Sequence, residues 1–165
     1  MIVEIYLIRH GIAAERGTYA DDEQRPLTDR GISKTTKVAK SLVKKVNFEL
    51  ILTSPLIRAY QTAEILKQEG LSQTVQTFLP LKPDGNIEEW FEWLQVDANK
   101  QKYHSLALVG HQPDLGNWAE ILIWGKVKGQ IALKKAGIIG ITIPEIEPPI
   151  SNSILFLLSA PKWIV

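Results

Sequence analysis

The 165-residue chain contains no cysteine, which excludes disulfides, thiolate zinc sites, iron–sulfur clusters and every cysteine nucleophile, that of the cysteine-based phosphatases included. An excess of either charge is also lacking. Nineteen Lys and Arg against eighteen Asp and Glu leave +1, so no overall field draws the protein toward nucleic acid or an anionic membrane, and neither is an expected partner. Any anion site must be local. No apolar run approaches the roughly 20 residues of a spanning helix. The first such run, 2–8, is interrupted by Glu4, followed at once by Arg9, and lacks the basic residues that precede a signal peptide's apolar core. A cytoplasmic protein is expected. Histidine is scarce, with only His10, His104 and His111.

With 45% hydrophobic residues, no repeats and no linker-like tracts, the chain is expected to form one domain over 1–165. Its pattern alternates strand with helix. Residues 2–8 and 105–109 read as strands buried on both faces, 49–53 as a short apolar strand and 74–78 as a weaker one. Helices are expected over about 29–46, with Thr28 as N-cap, from Ser54-Pro55 to Gly70, over 87–99, and from Pro113 onward. Trp90 and Trp93 read as packing residues rather than a ligand cage. From Ile131 the pattern changes to short strands around Gly137 and Gly140, ending with 154–158. This order argues for α/β architecture: a three-layer sandwich around a mostly parallel sheet of about six strands with an antiparallel edge.

Three polar motifs each follow directly on an expected strand: Arg9-His10-Gly11, Ser54-Pro55 leading to Arg58, and Gly110-His111. Open α/β sheets bind ligands at the carboxyl ends of their strands, so parallel strands would bring Arg9, His10, Arg58 and His111 to one face. Two guanidiniums and imidazole donors suit a tetrahedral oxyanion such as phosphate. Arg58 gains from a helix N-terminus, and Gly11 would let the backbone turn tightly toward the ligand. Lacking cysteine, a G-x-S-x-G elbow and a P-loop lysine, the chain offers a neutral imidazole as nucleophile. His10 is the choice, with a backbone carbonyl expected to hold its tautomer. His111, preferably protonated, joins the arginines in stabilising the phosphoryl oxygens. A three-histidine metal site fails, since His104 and His111 end the same strand about 20 Å apart. No metal or cofactor is expected.

Leu7-Ile8-Arg9-His10-Gly11, Leu27-Thr28-Asp29-Arg30-Gly31, the run from Thr53 to Ala63 and Val109-Gly110-His111 together resemble the histidine phosphatase superfamily, which includes the cofactor-dependent phosphoglycerate mutases. Short length and Arg25-Pro26-Leu27-Thr28 look most like its SixA-type phosphohistidine phosphatases. The resemblance implies a phosphoglycerate mutase-like fold, a phosphate pocket of Arg9, His10, Arg58 and His111, transient phosphorylation of His10, and Arg25 as a fifth contact. It also implies a phosphohistidine protein as substrate, such as a histidine phosphotransfer domain in phosphorelay signalling.

One departure bears on substrate. Family members acting on esters resemble one another in a carboxylate general acid, usually a glutamate just beyond the third strand, where this sequence has Leu81. Asp84 offers a carboxylate nearby, although Asp84-Gly85 ahead of a helix fits a turn or cap. Asp21, Asp22 and Glu23 read as solvated charge, Asp114 as support for a helix N-terminus, and the lysines from Lys34 to Lys45 as a solvated face on which a partner protein could dock. A missing acid suits the labile P–N bond of phosphohistidine. The alternatives are a phosphomonoesterase or mutase for a small metabolite, which requires a carboxylate near the leaving oxygen, and a non-catalytic phosphate-binding module.

Overall fold

The computed structural model describes residues 2–96, 99, 102–145 and 148–165. Strands β1 (Val3–Arg9), β2 (Leu50–Thr53), β3 (Val75–Thr77), β4 (Ser105–Gly110), β5 (Ile138–Ile143) and β6 (Ile154–Ser159) form one sheet in the order β3-β2-β4-β1-β5-β6. The first four run parallel, and β5 and β6 close the sheet antiparallel. Helices α1 (Asp29–Leu42) and α2 (Ile57–Gln68) cover one face, while α3 (Ile87–Gln95) and α4 (Asp114–Trp124) cover the other. A last turn, α5 (Pro161–Ile164), packs on α1.

The apolar pattern explains these layers. Successive residues of β1 and β4 point to opposite faces, and both sets are buried: Leu7, Leu106 and Leu108 join one core, Ile8, Ala107 and Val109 the other. α1 starts where expected, Thr28 Oγ1 accepting from Gly31 N at 3.0 Å, but ends at Leu42 rather than 46, with 43–45 forming a turn. The helix expected over 87–99 stops at Gln95, and positions 97 and 98 lie outside the described residues. Residues 131–137 are loop, so the first late strand begins at Ile138.

Register fixes what stands at the sheet's upper edge. Arg9 aligns with Gly110 on β4, and Thr53 with Val109, so His10 and His111 leave adjacent strands at the same level and Ser54 leaves the next strand one residue lower. The backbone continues the ladder by one step, with His10 N donating to Gly110 O at 3.0 Å and Ser54 N to Val109 O at 2.9 Å.

Candidate active site

Above these strand ends lies a cleft of about 330 Å³ lined by Arg9, His10, Arg25, Arg58 and His111, among others. The two imidazoles lie with ring centroids 5.2 Å apart, tilted by 55°. His10 Nδ1 donates to Gly11 O at 2.7 Å, which fixes the neutral tautomer and leaves the Nε2 lone pair free. Burial first, with His111, Arg58 and Arg9 adding to it, pushes the His10 pKa down to about 3, outweighing the backbone bond. The ring is therefore neutral at ordinary pH.

His111 is also pushed down to about 3, by burial and then by Arg58 and Arg9. The free protein therefore holds His111 neutral, mainly through burial and secondarily through the guanidiniums of Arg58 and Arg9, where the sequence reading prefers the protonated form. Its Nε2 lies 2.8 Å from Ser54 Oγ, which accepts from Leu56 N at 3.3 Å. The other ring nitrogen, Nδ1, is buried and has no protein partner, which leaves it for a ligand in the cleft. Ser54 is not the α2 N-cap that Ser54-Pro55 suggests. That position falls to Leu56, without a side-chain bond, and Ser54 is the orienting partner of His111.

Each guanidinium is anchored on part of its five N–H donors. Arg9 Nη1 donates to Leu133 O at 2.9 Å. Arg58 gives Nη1 to Asp22 O at 3.0 Å and Nη2 to Asp22 Oδ2 at 3.3 Å. Arg25 gives Nε to Asp22 Oδ1 at 2.7 Å and Nη1 to Ala14 O at 2.6 Å. Two bonds each leave Arg25 and Arg58 three donors apiece, and Arg9 keeps four. Asp22, expected to be solvated charge, instead braces two of the three arginines, and Arg25 foremost, then Arg58, hold its carboxyl below its ordinary value against burial.

Gly11 does not line the cleft, so the expected close approach of its backbone to ligand is not what this glycine provides. It needs to be glycine because a Cβ would collide with Thr35 Oγ1 and press on Leu27. Its carbonyl holds His10, and its N–H donates to Thr62 Oγ1 at 3.0 Å. The Leu27 to Gly31 motif has a similar reason. Thr28 N donates to Ile12 O at 3.0 Å, and α1 approaches so closely that any Cβ on Gly31 would meet the Ile12 backbone.

The model for the histidine phosphatase superfamily (branch 1) matches residues 5–109. The chain belongs to that superfamily. Among curated relatives, an uncharacterized protein of Picosynechococcus sp. is 46% identical over 171 residues, covering 99% of both chains. The phosphohistidine phosphatase SixA of Escherichia coli K12 is 31% identical over 116 residues, covering 69% of this chain and 70% of its own. Among solved structures, the protein histidine phosphatase SixA complexed with tungstate superposes with a TM-score of 0.84 at 26% identity, over 99% of this chain and 100% of that one. The phosphoglycerate mutase-like fold expected from the motifs is the fold found.

Leu81, at the position where the sequence reading looks for a glutamate, is buried in the core with Trp90 and Leu7. Asp84 sits in a turn with left-handed φ of 66°, yet it lines the cleft together with Asp114. Asp84 N donates to Asp114 Oδ1 at 3.2 Å, and burial pushes the Asp114 carboxyl up from its usual value. Sequence reasoning missed Ser54 as a site residue, and Lys135 and Gln112, which also line the cleft. It missed Glu120 as well. Glu120 is fully buried on α4, and its carboxylate accepts backbone N–H groups from Lys128, Gly129 (2.8 Å), Gln130 (2.6 Å) and Ile131 (2.8 Å). Burial alone would raise its pKa, but those four donors hold it below the ordinary value. It thereby fixes the loop whose Leu133 carbonyl anchors Arg9.

Proposed function

We propose that the protein hydrolyses phosphohistidine on another protein, through a phosphohistidine formed on His10. The observation that carries this reading is the burial of Leu81 in the core where ester-hydrolysing relatives are expected to carry an acid. The tungstate held by the SixA structure is a tetrahedral oxyanion, the geometry that three guanidiniums around two imidazoles suit.

His10 Nε2 attacks phosphorus with its lone pair, forming one P–N bond as the substrate's P–N bond breaks and its imidazole departs with the electron pair. That imidazole takes a proton from solvent. Its basicity makes a dedicated acid unnecessary, unlike an alkoxide. The remaining N–H groups of Arg9, Arg25 and Arg58, with His111 Nδ1–H, donate to the phosphoryl oxygens as charge spreads over them. Water then attacks phosphorus, His10 Nε2 recovers its lone pair, and phosphate leaves. The entering dianion favours the cationic form of His111, so its pKa rises on binding.

A second reading has its own observation. Asp114, with its raised pKa, lines the cleft and would protonate an alkoxide, favouring a small phosphate ester. The test is to incubate the protein with a phosphohistidine protein, a phosphoserine peptide and sugar phosphates, and to look for acid-labile label on His10. Turnover of the phosphohistidine protein with label supports the proposal. Turnover of esters alone, abolished in Asp114→Asn, establishes the second reading. No turnover, with phosphate binding unchanged in His10→Ala, makes the protein a binding module.

A further inference from the structure

The cleft is not the only concentration of positive charge. Beside it, and sharing Arg9 and Lys135 with it, lies a depression of about 470 Å³ reaching Lys34, Lys134 and Lys162. A second depression of about 360 Å³ continues past Lys34 and Lys162 to Arg30 and Lys37. Arg30, Lys34 and Lys37 stand at four- and three-residue spacing on α1, so they share one face of that helix. Lys134 and Lys135 come from the loop before β5, and Lys162 from α5.

None of these six cations has a carboxylate within ion-pair distance among the described residues, where the pairs are Arg25 and Arg58 with Asp22, and Lys82 with Glu23. In a chain of net charge +1 such a gathering is a directed surface, not a background. The carboxylates Asp84 and Asp114 line the cleft while neither depression includes an acidic residue, so the charge is asymmetric.

We infer that the track from Lys135 to Lys37 docks a carboxylate-rich protein surface next to the phosphorylated residue, which orients the substrate protein over the cleft. This rests on the phosphohistidine reading above and specifies its substrate: a phosphohistidine protein bearing Asp and Glu on one side of the modified residue. Two open depressions flanking a cleft fit an extended macromolecular surface better than a metabolite, which would fill the cleft alone. Charge complementarity of this type acts mainly on encounter and on KM, and salt weakens it.

The probes are three peptides with a central phosphohistidine flanked by glutamates, alanines or lysines. With wild type, kcat/KM is expected to fall at least tenfold from the glutamate to the lysine peptide, through KM, with the gap closing at high salt. In Lys34→Glu/Lys37→Glu/Lys162→Glu, none of which lines the cleft, the order is expected to invert while hydrolysis of the alanine peptide is unchanged. Indifference to flanking charge would overturn docking but leave the phosphohistidine activity standing. If no peptide turns over, the activity fails, and docking is decided by fluorescence anisotropy of the unphosphorylated peptides: equal affinity for the glutamate and lysine versions overturns it. Tighter binding of a single-stranded oligonucleotide than of the glutamate peptide would also overturn it, in favour of nucleic acid.

Discussion

β1, β2 and β4 each deliver a cleft residue or its partner from their carboxyl ends, Arg9, Ser54 and His111 in turn, whereas β5 and β6 contribute none of the cleft's lining. The antiparallel pair acts through what it leaves behind. The loop entering β5 gives Leu133 O to Arg9 and, through Ala136 N, donates to the carbonyls of Arg9 and His10 at 3.1 and 3.2 Å. One half of the sheet presents reactive groups, and the other, with Glu120 behind it, keeps them in place. The difference teaches that damage to the two halves should register in different measurements.

Four substitutions or conditions break that division in order of size. His10→Ala removes the attacking nitrogen, so turnover is expected to fall about a thousandfold or more, near 4 kcal/mol of barrier, with thermal stability close to wild type. A single-turnover assay with labelled substrate measures it, and a stability loss of similar size would erase the contrast. Glu120→Ala does the reverse. It takes the acceptor from four backbone N–H groups, that of buried Ile131 among them, and is expected to cost about 3 kcal/mol of unfolding free energy in urea titration, with Glu120→Gln intermediate. An unchanged midpoint would show that the loop holds without it.

Acid comes next, and its sign follows from the histidines of the parallel half. Their folded pKa values of about 3 lie below the ordinary 6.5, so the folded state resists protonation while the unfolded chain accepts it. Above the unfolded value they contribute no pH dependence. As pH falls from about 6.5 toward 3 they withdraw up to about 2.7 kcal/mol of stability per pH unit together. Urea titrations at about pH 7 and pH 5 should show the loss, and the double variant His10→Gln/His111→Asn should flatten it. Equal slopes would place the acid sensitivity elsewhere. Smallest in its lower bound, Arg58→Ala is expected to cost at least tenfold in turnover, about 1.4 kcal/mol, and a lesser loss would remove Arg58 from the phosphate clamp.

The fold was legible because strand type is written in composition. Apolar runs such as 2–8 and 105–109 announce strands covered on both faces, and the polar residues that follow within one or two positions, Arg9 and His111, mark the ligand-facing end. The gathering of Arg9, His10, Arg58 and His111 follows from that placement, while Arg25 joins them in the cleft as the family resemblance implies. What stayed hidden were residues whose partners are backbone groups or distant side chains. Ser54 before proline carries the signature of a cap, and only the register of β2 against β4 brings it to His111. Asp22 looked like one of three solvated acids, although its three-residue spacing from Arg25 was a signal available in the chain. Glu120 had none, since nothing in a sequence reveals that a carboxylate will meet four amides.

Thr62 is a small residue with a large mechanical role. Its hydroxyl accepts from Gly11 N and donates to Arg58 O at 2.8 Å, so one oxygen ties the backbone beside His10 to the first turn of α2. His10 and Arg58 are distant along the chain, yet through this atom they are near neighbours in the path that carries force. A displacement of α2 against the sheet therefore pulls on the backbone at Gly11, and the clamp and the attacking nitrogen move together instead of drifting apart.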